Sequence, residues 1–330
     1  MTRPAEIHPA RRLLRLLIAC TAALVLPVAV SGAATADGGK SARTWTVQVG
    51  SESSDQAIQG MAFLPENIYV NVGDKVTWRA NSAEIHTVTF LAEGQSLDST
   101  QPFNPMRPEH VTQLGGKDYD GHSYYNSGVI TNVSNSGFKQ VKKYTLGFPN
   151  VGDFTYYCLV HGMAMKGTVH VRAAGTEYPY SQSQYDRQAA KQERAILRDG
   201  DRQWNAARDQ VDKQARTGGP DKHVVVAGTD NGTSMVMRFV HQKIEVRVGE
   251  SVTFVNNGMG APHTVTFGTE PANFFAPVGD PGNYAGGDLN SGIMPPGTWF
   301  KVTFNKAGEF DYICALHDFM GMVGTVEVRK

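Results

Sequence analysis

The sequence predicts an all-β protein in which two copies of one β-sandwich domain are joined by a largely helical segment. The first observation behind this prediction is an internal repeat, because four blocks recur in the same order in both halves of the chain. The second is that these blocks alternate apolar and polar residues between Gly, Pro and Asn turns, as short strands do. The blocks are "MAFLPENIYVNVGDKVTW" (61–78) with "MRFVHQKIEVRVGESVTF" (237–254), "IHTVTF" (85–90) with "PHTVTF" (262–267), "YYNSGVI" (124–130) with "DLNSGIM" (288–294), and "VGDFTYYCLVHGMAMKGTVHVR" (151–172) with "AGEFDYICALHDFMGMVGTVEVR" (307–329).

Residues 1–36 have the pattern of an export signal. Four arginines between positions 3 and 15 precede an apolar run over residues 16–30, and "SGAATA" follows at 31–36. The apolar run is too short to span a bilayer comfortably, and no basic stop-transfer cluster follows it. We therefore expect cleavage near Ala36 and a secreted or periplasmic mature protein that does not span a membrane. An uncleaved anchor, a twin-arginine route through "RRLLRLL" and a lipoprotein at Cys20 are the alternatives.

The two copies extend over residues 44–172 and 223–330. In each copy a strand such as "IYVNV" (68–72) or "IEVRV" (244–248) leads into a turn containing Val-Gly. The alternation in "FTYYC" puts Phe154, Tyr156 and Cys158 on one face of a late strand. "GTVHVR" and "GTVEVR" close the copies as final strands. Each copy is therefore predicted to be an all-β sandwich.

Residues 173–222 differ in composition from both copies and predict a helix. Gly200, flanked by two Asp, is expected to kink or split it. A helix that packs across both domains and fixes their orientation, and a solvated spacer, are both compatible with this pattern. The residues that recur on one helical face are Tyr185, Ala189, Ile196, Trp204, Ala207 and Val211.

The charge balance excludes some partners. Residues 1–36 contain four Arg and one Glu, so the remainder of the chain has 27 basic and 30 acidic residues. This near-neutral balance gives no basic footprint for nucleic acid or an anionic membrane surface. Cleavage also removes Cys20 and leaves Cys158 and Cys314. One disulfide between them is the alternative to a metal site, but a disulfide does not need the histidine that follows each cysteine by three residues.

Each copy has a constellation of soft metal ligands. An early histidine (His86 or His263) precedes a Cys-x-x-His motif, formed by Cys158 and His161 in the first copy. The second copy has Cys314 and His317, and methionines follow both motifs. Two histidines and one cysteine with a weak thioether describe a blue-copper electron-transfer site. Thiolate and thioether suit Cu(I), and imidazole suits both oxidation states.

Both copies resemble cupredoxins, and the second has the Cys-x2-His-x4-Met spacing of plastocyanin and pseudoazurin at Cys314, His317 and Met322. The resemblance covers roughly residues 44–172 and 223–330. It implies a Greek-key β-sandwich, one type 1 copper per domain and one-electron transfer. The first copy departs from the spacing, since Met163 and Met165 follow His161 at shorter distances. Alignment of "MKGTV" with "MVGTV" favours Met165 as the axial ligand and leaves Met163 as the alternative.

The resemblance also implies how partners reach the metal. The loop histidines His161 and His317 are expected to present their ring edges at the surface, where extracytoplasmic redox proteins dock. Phe319, Met320 and Met163 are expected to form an apolar docking patch there. Thr87 and Thr264 are interpreted either as tethers of the ligand loops or as plain strand residues. The oligomeric state stays open.

Other site chemistries fit less well. Structural zinc prefers four strong ligands, and a catalytic cysteine would not need the repeated methionine loop. No His-x-His pair occurs in the sequence, which argues against a trinuclear oxygen-reducing centre. Two other functions stay open: a nitrite-reductase-like multicopper enzyme, and a copper-binding or delivery protein without redox traffic. His110 and His122, in a longer insertion of the first copy, are weak candidates for an additional metal site.

Overall fold

The computed structural model describes residues 41–217 and 222–330. The export signal predicted for residues 1–36 lies outside this described part of the chain. Among the described helices, none is both long enough and apolar enough to cross a membrane. The strands of the first copy are β1 (Thr44–Glu52), β2 (Ile58–Leu64), β3 (Asn67–Asn71), β4 (Lys75–Ala80), β5 (Thr89–Phe90), β6 (Gln113–Leu114), β7 (Tyr125–Ser127), β8 (Lys143–Gly147), β9 (Gly152–Cys158) and β10 (Gly162–Arg172).

The second copy repeats this arrangement after a long helix. Two α-helices are described, a single turn α1 (Pro108–Val111) and the 36-residue α2 (Gln182–Thr217), and short 3-10 turns lie at Leu97–Thr100, Pro281–Asn283 and Asp318–Met320. The strands of the second copy are β11 (Val224–Asp230), β12 (Ser234–Val240), β13 (Lys243–Arg247), β14 (Ser251–Val255), β15 (Thr266–Phe267), β16 (Leu289–Asn290), β17 (Trp299–Thr303), β18 (Gly308–Ile313) and β19 (Val323–Arg329).

The predicted all-β class with a helical connection is confirmed, but the two sandwiches share a layer. One eight-stranded sheet runs through both copies in the order β17-β14-β11-β12-β2-β1-β4-β8. A six-stranded sheet (β3-β10-β9-β5-β7-β6) covers its first-copy half, and a five-stranded sheet (β13-β19-β18-β15-β16) covers its second-copy half. Each sandwich is filled by aromatic side chains from both layers. Phe63 meets Tyr156 edge-on at 4.7 Å in the first core, and Phe239 meets Tyr312 at the same distance in the second.

The seam between the copies is the antiparallel pair β2–β12. The repeat aligns Met61 with Met237, so Gln59 and Met235 are equivalent positions, and these two residues lie directly opposite each other. The pairing is therefore self-complementary, like the isologous interface of a two-fold dimer. The paired residues are Ser234 with Gly60, Met235 with Gln59 and Val236 with Ile58.

Helix α2 packs across both copies. This agrees with the interpretation of a helix that contacts both domains and not with that of a solvated spacer. Its start contacts the first copy, where Tyr185 Oη accepts a 2.8 Å hydrogen bond from the backbone N–H of Tyr69. Its later part packs against the second copy, with Ala207 and Val211 in one apolar cluster with Val226 and Val240. The helix therefore fixes the orientation of the domains. The domain boundaries at residues 44, 172 and 223 stay a prediction.

The expectation that Gly200 splits this helix is wrong, and a kink at Gly200 stays a prediction. The helix runs without interruption through Gly200, which is buried at the seam. A Cβ atom on Gly200 would lie 2.3 Å from Cγ2 of Ile58 in β2. Glycine is needed here because the helix approaches the sheet closely, and the cost of glycine in a helix, about 1 kcal/mol relative to alanine, is offset by packing.

Candidate metal centres

The first centre joins three separate parts of the first copy. His86 lies just before β5 and forms a β-bridge with Ile130, Cys158 ends β9, and His161 is in the short loop before β10. The Cys158 sulfur lies 3.8 Å from His86 Nδ1 and 3.4 Å from His161 Nδ1. The three ligand atoms all lie within 4.8 Å of one another. The strands thus bring together the histidines and the cysteine that the sequence analysis selected.

The second centre repeats this geometry. The Cys314 sulfur lies 3.8 Å from His263 Nδ1 and 3.4 Å from His317 Nδ1, and the two Nδ1 atoms are 3.1 Å apart. Both cysteines are free thiols with no exposure, so the disulfide alternative is wrong. No further group of three His, Cys, Asp or Glu ligands occurs within residues 41–217 and 222–330. His110 is buried and His122 is exposed.

These spacings fit one copper ion per centre. Metal bonds to imidazole nitrogen and thiolate sulfur are about 2.0–2.3 Å long. At trigonal angles, such bonds place two nitrogens about 3.5 Å apart and a sulfur and a nitrogen about 3.8 Å apart. The early histidines lie at this sulfur–nitrogen distance, 3.8 Å, and the loop histidines lie slightly closer to the sulfur, at 3.4 Å, in both copies. A set of two imidazoles and one thiolate also matches the preferences of copper in both oxidation states.

The methionines differ in their placement. Met165 is buried in the same apolar cluster as Cys158, and Met322 is buried in the same cluster as Cys314. Met163 is instead 60% exposed. The backbone N–H of Cys314 donates to the carbonyl of Met322, so the end of this loop closes back onto its start. This burial favours Met165 over Met163 as the axial ligand, and its sulfur bond stays a prediction.

A threonine holds each ligand loop in place. The backbone N–H of Thr87 points at the Cys158 sulfur at 3.4 Å, and the Thr87 hydroxyl accepts a 2.8 Å hydrogen bond from the N–H of Leu159. Thr264 does the same with Cys314 and with Ala315, at 3.3 and 2.7 Å. The tether interpretation of both threonines is therefore confirmed. A backbone N–H aimed at the sulfur also stabilises the thiolate form that a metal requires.

Glycines with positive φ allow the backbone to pass close behind the early histidines. A Cβ atom on Gly228 would lie 2.2 Å from His263 Nε2, and one on Gly50 would lie 2.6 Å from His86 Nε2. In the first copy the Ser82 hydroxyl also lies 2.9 Å from His86 Nε2. Contacts at Nε2 orient the ring, so that Nδ1 faces the cysteine.

Burial sets the protonation of the ligands. It lowers the pKa of His161 to about 4 and, together with the charge of nearby His161, that of His317 to about 3. Burial also holds the pKa of His86 and His263 well below its usual value. The four imidazoles are therefore neutral at pH 7, with lone pairs free for a metal. Burial raises the pKa of both cysteine thiols to about 11, so a bound cation is needed to stabilise the thiolates.

Both loop histidines line one cavity between the copies, with a volume of ≈ 610 Å³. The side chain of His161 is only 8% exposed, and His317 as a whole residue is also only 8% exposed, so the expectation that their ring edges lie at the surface is wrong. Glu84 also lines the cavity, with Oε1 3.8 Å from His161 Nε2. Burial raises the pKa of this carboxyl group to about 7. Most of the remaining wall is apolar, and methionines from both copies contribute to it, among them Met61, Met235 and Met237.

The expected docking patch is wrong for Met320, which is only 2% exposed. It belongs to the apolar cluster of the first copy, and Phe319 is half-buried against the same cluster. The physical reason is that the second ligand loop faces the first copy. Arg238 fixes this contact, because its Nη1 donates to the Met320 carbonyl at 2.6 Å while its Nη2 donates to the carbonyl of Asp55 in the first copy.

Glu84 and Arg238 were not predicted from the sequence. In the repeat, Glu84 aligns with Ala261 and Arg238 with Ala62, so each is a charged residue that only one copy has. Both are buried, with 5% and 7% exposure. A charge present in one copy and replaced by alanine in the other was the available signal. Glu84 lines the cavity between the copies, and Arg238 bridges them, so neither position belongs to the apolar core of a single copy.

Comparisons with known proteins agree with this geometry. The profile of "Copper binding proteins, plastocyanin/azurin family" matches residues 50–172 and 224–329. The plastocyanin of Mercurialis perennis is 33% identical over 105 residues, which are 32% of this chain and 98% of that protein. Chloroplastic plastocyanin of Chlamydomonas reinhardtii is 34% identical over 107 residues, which are 32% of this chain and 66% of that protein.

Solved structures add two further likenesses. A Cu(I) amicyanin variant is 27% identical, with a TM-score of 0.24, over 35% of this chain and 89% of that one. A purple cupredoxin from Nitrosopumilus maritimus is 20% identical, with a TM-score of 0.23, over 32% of this chain and 99% of that one. The assignment rests on the profile, which covers more than half of the chain in two regions. The protein therefore belongs to the plastocyanin/azurin family of copper-binding proteins, with two cupredoxin domains in tandem.

Proposed function

We propose that the protein is an exported blue copper protein that carries single electrons between redox partners through one type 1 copper in each domain. The observation that carries this proposal is the pair of buried His–Cys–His clusters with equal sulfur–nitrogen spacings. Each has a buried methionine in the same apolar cluster. A rigid buried ligand set lets a copper ion change its charge with little rearrangement of the protein.

The family supports electron transfer over the alternatives. The matched profile is that of the plastocyanin/azurin copper proteins. Neither the nitrite-reductase-like enzyme nor copper delivery is favoured by a specific contact in the described residues. Export remains part of the proposal because it depends on the pattern of residues 1–36. Partners are proposed to approach at the rim of the cavity that His161 and His317 line, where Met259 is 73% exposed, and not at the nearly covered ring edges themselves.

The test is a visible absorption spectrum with copper quantification on the purified protein without residues 1–36. Cys158→Ala and Cys314→Ala are measured beside it. Two coppers per chain and an intense thiolate-to-copper band, with one copper lost in each variant, are expected. One copper, lost only with Cys314, would remove the first domain from the proposal. Bound metal without the intense band would reject electron transfer and favour copper delivery.

A further inference from the structure

The two loop imidazoles turn the same edge toward the same cavity. In each ring, Nδ1 lies 3.4 Å from the cysteine sulfur of its own centre, so Nδ1 faces the metal position. The opposite edge, which carries Nε2, points away from the metal. For His161 this edge lies near Glu84, which lines the cavity together with His317. One cavity thus separates the outer edges of two ligands that belong to different centres.

In both domains this edge is nearly buried beside the cavity between the copies, and in the first domain Glu84 of the same copy lies against it. The side chain of His161 and the whole residue His317 are each only 8% exposed, and the cavity wall between them is largely apolar. An apolar surrounding requires little reorganisation when a charge moves. The same covering restricts the access of large proteins to these ring edges. The position most suited to electron transfer is therefore turned inward, toward the other centre.

The separation of the two centres is held by three elements. The β2–β12 pair makes one sheet of both copies, and helix α2 packs on each of them. Arg238 is the third element, since its guanidinium donates to the carbonyls of Asp55 and Met320, on opposite sides of the seam. Met320 lies in the same short loop as His317. Arg238 therefore holds the second ligand loop against the first copy.

Building on the proposed function, we infer that the two centres exchange one electron within the chain, across the cavity between His161 and His317. With copper held by His86, Cys158 and His161 in one centre and by His263, Cys314 and His317 in the other, the rings of His161 and His317 would carry the electron between them. The donor copper would be oxidised from Cu(I) to Cu(II) and the acceptor reduced from Cu(II) to Cu(I), so the electrons balance without a further reactant. Arg238 is a positioning residue, because it fixes the distance between the rings without touching either metal.

The test uses the full-length mature protein with copper in both centres. Cys158→Ala and Cys314→Ala give the absorption and EPR spectra of the single centres. A reductant pulse of less than one electron per chain is then followed until the electrons reach their final distribution. Redistribution at a rate independent of protein concentration supports the inference. A rate proportional to protein concentration, or no redistribution, overturns it. Absence of both blue bands before the pulse would overturn the proposed function as well.

The role of Arg238 is tested separately. Arg238→Met is expected to keep both blue bands, to lose the concentration-independent phase and to broaden the copper–copper distance distribution measured by pulsed EPR. Arg238→Lys, which keeps the charge, serves if the methionine variant does not fold. Arg79→Met, at an exposed arginine on β4, is the matched control and should leave both readouts unchanged. An unchanged exchange rate and distance distribution in the Arg238 variants would overturn its positioning role.

Discussion

Substitution of Gly228 by alanine tests whether the backbone behind His263 sets the geometry of the second centre. Gly228 has φ +71°, and its Cβ would lie 2.2 Å from His263 Nε2. Nonbonded heavy atoms approach best at about 3.5 Å, so the ring must retreat by about 1 Å. Nδ1 then leaves its position beside the cysteine sulfur. The result we expect is a copper affinity about 10- to 100-fold lower in this centre, as when an outer contact of a metal ligand is lost.

Gly249→Ala is the matched control. Gly249 has φ +87°, in the same domain, but no atom lies within 4 Å of its added Cβ. Both variants incur the backbone cost of a left-handed residue, about 1–2 kcal/mol. Gly228→Ala adds overpacking of about 1–3 kcal/mol. Denaturant unfolding of the metal-free proteins measures the loss in free energy of unfolding. Copper titration followed by absorption measures the copper affinity of the second centre. Equal behaviour of the two variants in both assays would refute the reasoning.

Three further predictions concern the ligand loops. Met165→Leu should change the absorption and the redox potential of the first centre, whereas Met163→Leu, at an exposed position, should change neither; voltammetry compares them. Thr87→Val should cost about 1–3 kcal/mol in denaturant unfolding, because it leaves a buried N–H without its acceptor, while Thr87→Ser should restore most of it. Because burial raises the pKa of both thiols to about 11, copper binding at pH 7 should release one proton per centre, and copper affinity should fall as the pH falls. Proton release on copper addition in weakly buffered solution measures this, and fewer than two protons per chain would contradict it.

The sequence was sufficient for the fold class and for the histidines and cysteines of both clusters, since the repeat marks them twice. Local alternation identifies strands such as the one that ends at Cys158, because each strand reports its own buried face. The shared eight-stranded sheet was not predictable in this way. Which strands pair between the copies depends on which sheet edges meet. Residues at such a seam are buried on both faces of the sheet whichever strand they pair with, so their pattern does not identify the partner strand.

The errors have the same origin. Met320 was assigned to the surface and Gly200 to a helix break because each was judged within its own copy or helix. Both residues instead touch the other half of the molecule or the seam between the halves. Contacts across a domain interface produce only a weak periodicity of apolar residues in the sequence. The isolated charges Glu84 and Arg238, each aligned with an alanine, were the only local trace of it among the residues discussed.

The self-complementary pairing of β2 with β12 has a consequence for the direction of the proposed electron exchange. In a dimer of identical chains, two-fold symmetry makes both centres equal, and an electron shared between them has no preferred side. Joining the halves in one chain removes this constraint. The first loop has one residue fewer between its histidine and methionine, and only the first copy has Glu84 beside its ligand. Substitutions in one copy can therefore change the redox potential of one centre alone. The proposed electron exchange within the chain can then favour one direction.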